Sequence, residues 1–156
     1  MQKITPFLWF DGQAEQAAKF YVSVFKNSKL LEVTRQGGGG PRSKPKVMFA
    51  TFRLDGQEFM ALNGGPQFKF TPAISFFVSC KTQKEVDDLW TRLSKGGEKG
   101  QCGWLKDRFG VSWQVSPTRL RDMLHDPDPA RVGRVTAAFL QMTKFDLRAL
   151  ETAFNG

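Results

Sequence analysis

Two stretches of the chain repeat one pattern of apolar and polar positions. The first, TPFLWFDGQAEQAAKFYVSVF from Thr5, opens on a short aromatic run, turns at Asp11-Gly12 and continues with apolar residues at Ala14, Ala17, Ala18, Tyr21 and Phe25. Spacings of three and four are helical, so the pattern predicts a strand followed by a helix. The second, SFFVSCKTQKEVDDLWTRLS from Ser75, repeats it seventy positions later: Phe7 matches Phe77, Gln13 matches Gln83, Glu15 matches Glu85 and Phe20 matches Trp90.

Each helix is followed by strand-like alternation. In the first half the predicted strands are KLLEVTRQ (29–36), KVMFATFRL (46–54) and QEFMALN (57–63), the last two joined by a tight Asp55-Gly56 hairpin. In the second half GWLKDRF and VSWQVS flank Gly110 in the same manner, and a further strand is expected near GGEKGQ. After Pro117 helical spacing takes over in TRLRDML, in DPARVGRVTAAFLQM opened by Asp128 and Pro129, and in DLRALETAF opened by Asp146. Three segments result: residues 1–66, 67–117 and a helical tail at 118–156, expected to cover a sheet edge or a dimer partner.

With 156 residues, 40% of them apolar and fifteen of them Phe, the chain has enough material for a real core. Its longest apolar runs, such as AISFFVSC at 73–80, are too short to span a bilayer, and the amino terminus lacks a cleavable leader pattern, so no membrane association and a cytoplasmic location are expected. Cys80 and Cys102 read as two free thiols. The net charge of +8 raises nucleic acid as a partner. Arg42, Lys44, Lys46 and Arg53 form one loose group and Arg119, Arg121, Arg131 and Arg134 another, with no recognition motif around either, so a solvated basic surface is the expectation.

The motifs that could carry chemistry are few. GGGG at 37–40 is followed by Pro41 and more loop, not by the Gly-Lys-Ser/Thr and helix of a phosphate-binding loop. LNGGPQF at 62–68 reads as a structural turn. The single histidine, His125, lies beside DPDPA in the tail, far from any candidate Ser or Cys nucleophile; it reads as a surface residue whose loss leaves ligand binding unchanged. Cys102 has Lys99 and Lys106 nearby, which suits either a reactive thiol or a small buried residue at a strand start.

The repeat, together with TPFLWFDGQAEQAAKFY, FMALNGGPQFKF and CGWLKDRFGVSWQVSP, resembles the PhnB-like branch of the vicinal oxygen chelate superfamily, often labelled 3-demethylubiquinone 3-methyltransferase. That superfamily includes glyoxalases, extradiol dioxygenases and bleomycin-resistance proteins. The resemblance covers residues 1–117, and the tail is similar to that branch as well. It implies an α+β fold: two tandem βαβββ modules whose curved mixed sheets surround a cavity, with a C-terminal helical tail.

In metal-dependent relatives each module supplies a His, Gln or Glu from its first strand and another from its last. Those positions fall here on Thr5, Met60, Ser75 and Gln114. Two hydroxyls, a thioether and one amide cannot compensate a dication, so no metal and no cofactor are expected. The strand period of two puts Thr5, Phe7 and Trp9 on the face equivalent to Ser75, Phe77 and Ser79. With Met60 and Gln114, and with Trp104 either on the wall or under a helix, they predict an aromatic pocket, while Trp113 and Val115 point into the core. The Lys106-Asp107-Arg108 cluster at the hairpin needs no catalytic role. Three functions fit: a homodimeric binding protein for a small aromatic or amphipathic molecule, a metal-independent enzyme including the labelled methyltransferase, or a protein that interacts through its basic surface.

Overall fold

The computed structural model describes residues 2–37 and 40–156, so the middle of the GGGG stretch lies outside the described residues. The chain forms two compact units, residues 1–70 and 71–156.

In the first unit, β1 (Phe7–Phe10) and α1 (Ala14–Val24) precede β2 (Lys29–Gln36), β3 (Lys46–Leu54) and β4 (Gln57–Asn63). The sheet order is β1-β4-β3-β2, with β1 parallel to β4 and the other pairs antiparallel. Ala14, Ala17 and Ala18 on α1 are completely buried, and side chains this small let the helix backbone lie close to the sheet. Tyr21 extends the contact by stacking on Phe52, which stacks on Phe59 at 5.5 Å. Gln13 gives α1 no side-chain cap. Asn63, at the end of β4, does so instead: its Oδ1 accepts from the Ala14 amide at 2.8 Å while its Nδ2 donates to the Val47 carbonyl. Asp55 and Gly56 both have positive φ, 45° and 83°, as the two central residues of a type I′ hairpin require.

The second unit repeats this topology with β5 (Phe76–Cys80), α2 (Gln83–Ser94), β6 (Glu98–Lys99), β7 (Trp104–Lys106) and β8 (Ser112–Pro117) in the order β5-β8-β7-β6. The register is duplicated too. Phe7 pairs with Met60 and Phe77 with Gln114; Leu8 pairs with Ala61 and Val78 with Val115. Thr82 caps α2 by accepting from the Glu85 amide, and Glu85 reaches back to the Lys81 amide at 2.8 Å, a reciprocal arrangement close to a capping box. Val86, Leu89, Trp90 and Leu93 bury the inner side of this helix.

The strand expected over GWLKDRF stops at Lys106 because Asp107 bends the chain. Its carboxylate is 3% exposed and accepts from the Phe109 and Val111 amides and from Trp113 Nε1 at 2.9 Å. One side chain thus closes the turn and anchors the indole of a core tryptophan. The strand expected near GGEKGQ is only two residues long.

The tail forms α3 (Thr118–Leu124), α4 (Pro129–Phe139) and α5 (Leu147–Asn155), with Asp128 capping α4 and Asp146 capping α5. Its apolar residues find partners within their own unit. Leu120, Met123, Val135, Phe145, Leu150 and Phe154 make one buried cluster, against which Phe139 packs. Val135 and Leu150 are fully buried within this cluster, while Phe139 and Leu147 stay partly exposed.

Two clamps hold the tail to the second module. Gln83 Nε2 donates to the Phe145 carbonyl and its Oε1 accepts from the Leu147 amide, beside a 2.7 Å Lys144–Asp87 ion pair. Hydrogen bonds from the Lys144 ammonium and from Gln83 hold the Asp87 carboxyl below the usual carboxylate range. The amides of Cys102 and Gly103 donate to the carbonyls of Met142 and Thr143, both at 2.8 Å. Gly103 has φ of 79°, and a Cβ there would lie 2.6 Å from the Val115 carbonyl and 2.7 Å from the Phe145 ring. Among the described residues, no helix is long and apolar enough to cross a membrane.

Replacing Asp107 by Asn keeps an acceptor for the turn amides but turns a donor toward Trp113 Nε1. Asp107→Asn is expected to lower stability by about 1–3 kcal/mol, read by urea denaturation followed through tryptophan emission.

Candidate functional site

The sequence-predicted residues of the first unit lie along and just before β1 and on β4. Thr5 precedes β1, with its hydroxyl 3.5 Å from Gln2 Nε2. Phe7 is 52% exposed and lies opposite half-buried Met60. Trp9 is more committed than its strand position suggests. Its Nε1 donates to the Gly65 carbonyl at 2.9 Å, Phe68 meets the ring edge-on at 5.0 Å, and a Cβ on Gly64 would come within 2.3 Å of the ring. The LNGGPQF turn is therefore a seat for this indole. Glycine at 64 is dictated by the approach of an aromatic face.

In the second unit Gln114 organises the predicted residues. It faces Phe77 across the parallel β5–β8 pair and Trp104 across the antiparallel β7–β8 pair, so these three share one face. The neighbouring positions go the other way: Trp113 is 3% exposed and Val115 fully buried. Trp104 therefore stands on Gln114's side of the sheet. Gln114 Nε2 donates to Ser75 Oγ at 3.0 Å, which fixes the amide's orientation and leaves Oε1 as its acceptor.

This face opens on a cavity of about 860 Å³. Phe77, Ser79, Trp104 and Gln114 line its sheet side, while Arg121 and His125 of the tail and the rings of Phe139 and Phe145 line the rest. The volume lies within the range that holds small organic molecules, and a mostly apolar lining with a few polar groups is typical of such sites. The tail residues were not legible as part of it. Their one signal is that α3 starts immediately after β8, so Arg121 on α3 and His125 at its C-cap, four residues apart, remain close to the strand that precedes them. His125 is exposed as expected but is not remote, since it stands on the cavity wall with Nδ1 2.7 Å from the Arg121 carbonyl.

The donor set does not fit a metal. Ser75 and Gln114 are hydrogen-bonded to each other, Met60 offers a thioether, and among the described residues no group of three His, Cys, Asp or Glu side chains could hold an ion. Both cysteines are free thiols. Burial, with a smaller contribution from Glu85, pushes the Cys80 thiol up to about 12, which makes it inert. Cys102 lines the cavity, with φ of 54° and its Sγ 3.6 Å from the Phe139 carbonyl.

The tail's basic group is largely consumed at home. Arg119 pairs with Glu151 at 2.9 Å and covers the Phe154 ring, Arg131 also lies over that ring at 5.3 Å and meets Asp126 and Asp128, and Arg134 donates to the Ala153 and Phe154 carbonyls.

Residues 2–116 match the profile of the family described as 3-demethylubiquinone-9 3-methyltransferase. Among solved structures, a PhnB protein from Bacillus cereus named for that activity is 40% identical over 75% of this chain and 100% of its own, with a TM-score of 0.69. A protein from Pseudomonas aeruginosa, PA1353, is 22% identical over 75% of this chain and 98% of its own, with a TM-score of 0.62. The fosfomycin resistance protein FosX from Listeria monocytogenes shares the fold at 14% identity and a TM-score of 0.54, over 80% of this chain and 98% of its own. No curated protein matches the chain. The family match ends at residue 116, so the tail lies outside it.

Proposed function

Because the chain belongs to the PhnB-like family described as 3-demethylubiquinone-9 3-methyltransferase, within the vicinal oxygen chelate superfamily, we propose that it binds a small aromatic or amphipathic molecule without a protein-bound metal. The observation that supports this reading is the convergence of Phe77, Trp104 and Gln114 on one sheet face, opening on a cavity of about 860 Å³. Phe77 is 60% exposed on that face, which leaves its ring available to an apolar ligand. In the first unit Phe7 and Met60 hold the matching register and present the equivalent face. We assign Thr5, Phe7, Trp9, Met60, Ser75, Phe77, Trp104 and Gln114 to ligand binding, with Trp9 contributing ring edge only, because its N–H is already bonded.

Methyl transfer, the activity in the family's description, needs a seat for a methyl donor. The turn from β1 into α1 carries Gly12 alone, without the glycine-rich fingerprint that cradles a nucleotide-type cofactor, so binding is the reading carried forward. An interaction role through the basic surface is weakened by the intramolecular partners of Arg119, Arg131 and Arg134. A cytoplasmic location and a homodimer remain part of the proposal. The dimer is motivated by the exposed apolar side chains Ile4, Phe7, Phe68 and Ile74.

Three outcomes are expected. A bicyclic aromatic such as 1-naphthol saturably quenches tryptophan emission, and Gln114→Ala weakens its binding by about 1–2 kcal/mol through loss of the Oε1 acceptor; quenching that never saturates in the parent protein contradicts the reading. Elemental analysis finds no stoichiometric zinc, nickel or iron, whereas about one ion per chain, lost in Gln114→Ala, overturns the metal-free site. Light scattering at micromolar concentration gives twice the chain mass, and a monomer refutes the dimer.

A further inference from the structure

The geometry points to an amphipathic anion as the occupant of this cavity: an apolar, ring-sized body against Phe77, Trp104, Phe139 and Phe145, and a carboxylate-type end group at Arg121. The inference rests on the binding reading above and adds the chemical class of the ligand.

Arg121 carries the argument. Of the four arginines on α3 and α4, Arg119, Arg131 and Arg134 are each held by carboxylates, carbonyls or the Phe154 ring. Among the described residues, the Arg121 guanidinium has no such partner, and it is the arginine that lines the cavity. A guanidinium presents a planar fork of donors that matches a carboxylate, sulfonate or phosphonate oxygen pair.

The local backbone prepares the site further. The Arg121 carbonyl lies 2.7 Å from His125 Nδ1, so Nδ1 donates to it and Nε2 remains as the ring's second polar atom. Residues 121 and 125 stand one turn apart on the same side, so a single end group can reach both. Asp122 also lines the cavity, and its side chain is likewise without a partner among the described residues. It is displaced about 100° around the helix from Arg121. An anionic ligand pays a repulsive cost there, and a cationic one would gain, so Asp122 fixes the sign of the test.

The position of α3 matters as well. The family match ends at residue 116 and α3 begins at Thr118, so the end-group contact comes from an element outside the matched region. The sheet face supplies an apolar seat that the family fold provides. The tail supplies the charge selection, and this chain's choice of ligand is therefore set by its C-terminal helices.

Two fluorescent probes that share one aromatic body separate the contributions: 1-anilinonaphthalene-8-sulfonate, an anion, and N-phenyl-1-naphthylamine, its uncharged counterpart. Both are titrated into the full chain and into its Arg121→Gln and Asp122→Asn variants. The parent protein is expected to bind the sulfonate about tenfold more tightly than the amine. Arg121→Gln removes that preference while leaving the amine's affinity within about twofold, which also shows that the cavity remains folded. Asp122→Asn tightens the sulfonate by about two- to threefold and leaves the amine alone. Equal binding of the two probes, or an Arg121→Gln loss shared by both, overturns the anionic assignment while the binding reading stands. Weaker binding of the sulfonate than of the amine in the parent protein, relieved in Asp122→Asn, shows that repulsion by Asp122 outweighs Arg121 and also overturns it. Failure of both probes to bind defeats the binding reading and this inference together.

Discussion

A single helix can seal only one face of a four-stranded sheet, and each unit of this protein has one helix between its first and second strands. In the first unit α1 takes the face carrying Leu8, Phe10, Phe52 and Phe59; in the second α2 takes the face carrying Cys80, Trp113 and Val115. Because strand side chains alternate, that choice sends Phe7 and Met60, and likewise Phe77 and Gln114, to the opposite face in matching register. A one-residue slip in either sheet would bury these residues and expose the core. The apolar fit of α1 and α2 thus decides where a ligand can meet the sheet, although no residue of α1 or α2 lines the cavity described here.

The tail then adds a second wall to the exposed face of the second sheet. Its attachment depends on Gln83, which bridges to Phe145 and Leu147, and on the amides of Cys102 and Gly103, held by Met142 and Thr143. These contacts place Phe145 against the Gly103 backbone and bring Phe139 near Cys102. The positive φ of Cys102 is part of the same construction. A non-glycine residue in the left-handed region costs about 1–2 kcal/mol, offset here by the hydrogen bonds that the turn makes to the tail.

Sequence patterning made the repeat, the element order and the strand parity legible, because these rest on local spacing: the apolar period of α1, the Asp55-Gly56 turn and the Asp128 and Asp146 caps all act over a few residues. What it did not reveal depends on long-range partners. Trp9 reads as a pocket residue by parity, yet its N–H is spent on Gly65, and only the fold brings that carbonyl to it. Gln114 is not a freely rotating amide, because Ser75 takes one of its two N–H donors and so fixes where its Oε1 points. Asp107 reads as one of a hairpin cluster that needs no catalytic role, and its burial follows from the bend that carries Trp113 Nε1 back to it. His125 and Arg121 join the cavity because α3 folds back over the sheet, a direction that helical periodicity does not encode.

The proposal that the second unit's cavity binds a small molecule is tested most directly by native mass spectrometry after passage of the chain through a cell extract. A single small aromatic or amphipathic species should be retained at one per second-unit cavity. It should be absent from a Ser79→Trp variant, whose added indole fills the space lined by Phe77, Trp104 and Gln114. Retention of nothing by a folded parent protein, or equal retention by the filled variant, would contradict it.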